Sequence, residues 1–126
     1  MRGPRVVQVK IGRATVKAEV ADTWWKVTLG LMFRKYLAPN AGMLFVFDRD
    51  ADHAFHMWLV RIPLDVIFIE GDGRIAHIRS ARPGAGPFKA GHPVLYVLEV
   101  NFGWCAKHGV TVGDHCEVPD RLPASA

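Results

Sequence analysis

Residues Phe55 to Ile69 read FHMWLVRIPLDVIFI, a nearly unbroken apolar run with Arg61 and Asp65 in its middle. Such a run belongs in a protein interior, where ions persist only when paired, hydrogen-bonded or used chemically. Pro63 suits a strand end rather than a strand centre. The run therefore divides into two strands, Phe55 to Val60 and Val66 to Glu70, joined at Arg61 to Leu64. Both charges then fall at the junction, which lowers their burial cost and points to a structural clamp.

Turn signals cut the rest of the chain into similar short pieces. Val6 to Ile11 and Ala14 to Val20 alternate with period two around Gly12-Arg13, the pattern of an opening hairpin. Thr23 suits the N-cap of a short helix over Trp24 to Leu31, which Pro39 and Gly42 bring to an end with its connection. Met43 to Phe47, Arg74 to Arg79 and Val94 to Asn101 read as further strands, and Gly71-Asp72-Gly73 as a tight hairpin turn. A helical turn is expected at Trp104 to His108, a last strand near His115 to Val118, and a frayed tail over 119–126. Leu95 and Val97 alternate with Tyr96, Leu98 and Val100, so this strand is apolar on both faces, as in a doubly covered sheet. The expected fold is mainly β, a compact sandwich or partly closed barrel with one or two short helices. Ser80 to Pro93, SARPGAGPFKAGHP, is the one long irregular stretch, with the length of a binding loop or lid or of a plain connector.

The chain has 126 residues, half of them hydrophobic, enough for one core and too few for two ordinary domains. No apolar run reaches the roughly 20 residues of a membrane-spanning helix. The N-terminal residues alternate like a strand and lack the apolar stretch and cleavage site of a leader, so a cytoplasmic location is expected. The net charge of +4 gathers in Arg2, Arg5, Lys10, Arg13 and Lys17, and again in Arg74, Arg79, Arg82 and Lys89. A solvated basic surface accounts for both groups; nucleic-acid binding at such a surface is the third functional choice. Asp48, Asp50 and Asp52 mimic the opening of a calcium loop, but His53 and Leu59 occupy the positions of its glycine and closing glutamate. A polar hairpin turn is expected there. One Gln and two Asn in the whole chain give a composition like that of thermophile proteins.

Five motifs occur together: Gly30-Leu31-Met32-Phe33-Arg34, Gly42-Met43-Leu44-Phe45-Val46-Phe47, Met57 with Ile62-Pro63-Leu64-Asp65-Val66-Ile67-Phe68, Val97-Leu98-Glu99-Val100-Asn101 with Gly103, and Gly113-Asp114. In this order and spacing, over about residues 16 to 118, they resemble uncharacterised protein family 0127, also called domain of unknown function 192. The resemblance implies a compact β-rich domain without a firmly assigned activity, found in archaea and bacteria. It also implies relatives that are exported or lipid-anchored, from which this chain departs in lacking a signal segment.

Among the motif residues, Met32, Met43 and Met57 suit core filling, or a soft Cu(I) site if they converge. Arg61, Asp65, Glu99 and Asn101 interrupt or end apolar strands and form the candidate ligand-binding set. Glu99 shares a strand face with apolar residues and needs a cation or several N–H groups, for which Arg61 is the first candidate, with Arg34 and His56 behind it. The leading functional reading is a non-enzymatic β domain binding a small polar ligand or a protein partner. The alternative is a glycosidase-like hydrolase with Asp65 and Glu99 as its acid and base. No nucleophile elbow, zinc-protease motif, phosphate loop or dinucleotide fingerprint accompanies them. No cofactor is expected.

Cys105 and Cys116 lie outside the family motifs. Two unreactive thiols, a disulfide, or a metal set with His108 and His115 are the alternatives. Adjacent His115 and Cys116 would point to opposite sides of a strand, which disfavours the metal. Trp24, Trp25, Trp58 and Trp104 suit core anchors, or a sugar-binding surface.

Overall fold

The computed structural model describes residues 5–21, 34–54, 60–87 and 89–119. Seven strands form one sheet: β1 (Val6–Ile11), β2 (Ala14–Ala21), β3 (Ala41–Ala51), β4 (Leu64–Ile69), β5 (Ile75–Ala81), β6 (Val94–Asn101) and β7 (Cys116–Glu117). A short helix, α1 (Trp104–His108), lies between β6 and β7. The expected helix over Trp24 to Leu31 and the tail beyond Pro119 lie outside the described residues, as does the expected strand from Phe55 except for Val60, which lies in no strand. No described helix is long and apolar enough to cross a membrane.

The strand order is β5-β4-β6-β3-β2-β1-β7, with β2 and β3 parallel and every other neighbour antiparallel. The two ends of this sheet meet. β7 pairs with β1 through Lys10↔Glu117 and Ile11↔Cys116. On its other side Cys116 N donates to Gly73 O at 2.7 Å, and Ile75 N to Asp114 O at 2.9 Å. The result is a partly closed barrel whose seam is stitched over a few residues.

Side chains leave the sheet alternately, and both sets find apolar cover. One cluster draws on all seven strands, with Val9, Ile11, Val16, Leu44, Ile67, Ile75, Leu98 and Cys116 at its centre and Trp104, Cys105 and Val110 closing one end. Its origin in every strand identifies it as the enclosed side. The second cluster holds Met43, Phe45, Leu64, Val66, Phe68 and Val97 on the opposite face, covered in part by Leu37 and Val60. All six residues of β4 are buried, as expected for a doubly covered strand. Each fully buried leucine, isoleucine or phenylalanine contributes about 1.5–3 kcal/mol.

Two expectations change. Asp48 to Asp50 do not form a hairpin turn; they extend β3 as exposed strand residues. Between Val46 and Ala51 the pairing advances five residues on β3 and two on β6, so the polar stretch is taken up as an irregularity in a continuing strand. The irregular stretch starts later than expected, since β5 runs to Ala81. Ala85 and Ala90 pack against the second cluster, and Gly91 N donates to the Asp52 carboxylate at 3.1 Å.

Candidate functional site

The strand ends named by the junction and by Asn101 do converge, and they enclose a groove. Pro63 ends the junction just before β4, and its carbonyl accepts a hydrogen bond from Phe102 N at 3.2 Å. Asn101, the last residue of β6, donates from Nδ2 to Leu37 O at 2.7 Å and to Ala38 O at 3.2 Å. Trp104 Nε1 donates to Asn40 Oδ1 at 3.4 Å. These bonds hold three separate pieces of chain, residues 35–40, 61–63 and 101–107, around a space of about 420 Å³. Gly103, at φ 87°, supplies the left-handed turn that swings the chain from β6 into α1. Lys35, Tyr36, Ile62, Phe102, Trp104 and Lys107 are among the residues that line the groove. Tyr36 and Phe102 are 72% and 61% exposed.

Of the four residues proposed from sequence, only Asn101 lines this groove. Arg61 is exposed and takes part in no ion pair among the described residues. It pairs with neither carboxyl, and both Asp65 and Glu99 are buried in their strands. Asp65 is the second residue of β4 and 2% exposed, so the junction does not spare it burial. Its compensation comes from Ser80 Oγ, which donates to Oδ1 at 2.9 Å, and from Cys105 N, which donates to Oδ2 at 3.0 Å. Asp65 therefore ties β5 and α1 to β4.

Glu99 lies on the other face. Asp65 pairs with Val100, whereas Glu99 pairs with Val66 and Met43, so the two carboxyls leave the sheet in opposite directions. They do not form an acid and base pair across one bond. Glu99 is 4% exposed and accepts no hydrogen bond from the described residues. Burial pushes its carboxyl up from 4.5 to about 8, so it is mostly protonated at neutral pH. Arg34 instead pairs with Glu19 at 2.6 Å, and His56 lies outside the described residues.

Cys105 and Cys116 are free and buried. Burial and then the Asp65 carboxylate raise the Cys105 thiol to about 12, and burial and then Asp114 raise Cys116 to about 12. Neither is a thiolate at neutral pH, the form that binds metals and attacks electrophiles. His108 is exposed and packs its ring on Trp104 at 4.6 Å, and His115 is exposed as well, so the four side chains do not converge. Among the described residues no three His, Cys, Asp or Glu side chains are grouped to hold a metal. Met43 is buried in the second cluster; Met32, Met57 and the other three tryptophans lie outside the described residues.

Sequence reasoning missed Lys35, Tyr36, Ile62, Phe102 and Lys107. Their groove is assembled from three loops distant in the chain, which no local pattern reveals. One signal was available: Phe102 sits in a polar and glycine context directly after a strand, where an aromatic residue has no core to join.

The comparisons agree with this fold. A UPF0127 protein of Thermococcus sibiricus is 26% identical over 107 residues, 82% of this chain, and the match spans 66% of that relative, just under two thirds of its length. A solved protein of unknown function from Novosphingobium aromaticivorans superimposes with a TM-score of 0.85 at 34% identity, covering 90% of this chain and 85% of the other. A Sinorhizobium meliloti protein, named provisionally as a transcription regulator, gives a TM-score of 0.87 at 31% identity over 93% and 96% of the two chains. The family model DUF192, described as Uncharacterized ACR, matches residues 7–118. With that match over most of its length, and with the barrel shared by both solved structures, the chain belongs to the DUF192 family.

Proposed function

We propose that this protein is a binding module, not an enzyme, and that it takes a small polar ligand in the groove at the strand ends. The observation that carries this reading is the pair of exposed aromatic side chains, Tyr36 and Phe102, in one concave space fixed by the Asn101 hydrogen bonds. Exposed aromatics offer apolar area at low entropic cost, and a groove of this size falls in the range of small-molecule sites. The hydrolase reading loses its support because Asp65 and Glu99 are buried on opposite faces. A cytoplasmic location belongs to the same proposal.

A second reading draws on the name of the Sinorhizobium relative and on Lys10, Arg13 and Lys17, which are all exposed on the opening hairpin. Nucleic acid would bind this basic face, with affinity falling steeply as salt rises. A two-dimensional NMR titration of the 126-residue chain with sugars, amino acids and nucleotides separates the two. Shifts centred on Tyr36, Ile62 and Phe102, weakened about tenfold by Phe102→Ala, which is ~1.4 kcal/mol, support the groove. Shifts confined to Lys10 and Lys17 with an oligonucleotide support the second reading and overturn the first.

A further inference from the structure

We infer that the groove is built for a small anion carrying a flat apolar body, such as an aromatic carboxylate or an aromatic phosphate ester. This inference rests on the groove reading and names its ligand class. Lys35 and Lys107 both line the groove, and among the described residues no carboxylate lines it. Neither lysine takes part in an ion pair among the described residues. Three acids of the sheet are buried or engaged elsewhere: Asp65 is buried under its two hydrogen bonds, Glu99 is buried in β6, and Glu19 is taken by Arg34.

Two ammonium groups on one concave surface repel each other unless an anion comes between them, and low-dielectric walls concentrate their field on the space they share. The same two cations disfavour a cationic guest, although exposed aromatic faces alone would attract one. The rest of the lining selects the body of the ligand. Tyr36 and Phe102 are two of the four large hydrophobic side chains left exposed among the described residues, and both belong to this groove, with Ile62 between the strand ends. Asn101 spends both its amide donor bonds on Leu37 O and Ala38 O, so it shapes the wall without offering that nitrogen to a guest. Recognition then divides into stacking or edge contact with the aromatics and charge pairing with the lysines.

The test uses the full chain and three probes: 2-naphthoate, the neutral 2-naphthylmethanol with the same rings, and inorganic phosphate. Naphthoate is expected to bind about tenfold more tightly than either, shifting the amide signals of Tyr36, Phe102 and Lys107. The double variant Lys35→Gln, Lys107→Gln is expected to reduce naphthoate to the affinity of the alcohol while leaving the melting temperature unchanged, since both residues are exposed. Equal binding of naphthoate and alcohol at the groove overturns the anionic inference and leaves the groove reading standing. Phosphate binding as well as naphthoate overturns the apolar body. Failure of all three probes to shift any groove residue overturns both readings. A single-stranded oligonucleotide that binds there more tightly with each added nucleotide overturns the small-molecule assignment in favour of a nucleic-acid groove.

Discussion

Asp65 and Glu99 are both carboxyl groups less than 5% exposed, and their partners give them opposite characters. Asp65 accepts two hydrogen bonds that join three elements, and bonds to a charged group each contribute about 1.5–3 kcal/mol. Glu99 has only apolar cross-strand neighbours, Met43 and Val66, and the desolvated carboxyl keeps its proton. In the unfolded chain it releases that proton near 4.5, in the folded chain near 8. The stabilisation from the neutral form is therefore whole below pH 4.5, declines as pH rises between these values, and is lost above about pH 8. The slope approaches about 1.4 kcal/mol per pH unit for this one proton. Denaturant unfolding across pH 5 to 8 is expected to show stability falling in that window, and Glu99→Gln to flatten the fall. A wild-type profile rising with pH over the same range would contradict the assignment.

Closure of the barrel depends on an element of two residues, β7, and on the turn that meets it. A Cβ at Gly73 would stand 2.4 Å from Cys116 O and 2.7 Å from His115 Cε1, at a φ of +96° that side chains rarely adopt. Gly73→Ala therefore parts the seam, at a cost on the order of 3 kcal/mol from backbone strain and displaced hydrogen bonds. Hydrogen exchange is expected to quicken at the Cys116 and Ile75 amides, which donate across the seam, more than at the centre of β6. Gly12→Ala meets no atom within 4 Å and serves as a control for the left-handed backbone alone. Most elements were legible in the sequence: the first hairpin, β6 and α1 follow from period-two alternation and glycine punctuation, which are local signals. The trend failed at Asp48 to Asp50, where pairing with β6 carried a polar stretch into the strand against its turn composition. It failed also for the site, because alternation shows that Asp65 and Glu99 are polar interruptions but not the register between β4 and β6 that sends them to opposite faces.

At the scale of the whole molecule, the two thiols report on the integrity of the enclosed cluster. Both lie in it, and both stay protonated until about pH 12. Labelling with iodoacetamide at pH 8 is expected to be slow for both in native protein and to reach two equivalents in denaturant; rapid native labelling of Cys105 would show that α1 lifts from Asp65 on its own. The stitched seam has one more consequence. β1 finds its second partner only about a hundred residues downstream, where Ile11 meets Cys116. On a ribosome the first hairpin can form early, but that edge stays open until almost the whole described chain has been made. The closing step is therefore late in synthesis and dominated by long-range pairing, which makes it slow and leaves an unpaired strand edge exposed to other nascent chains in the interval.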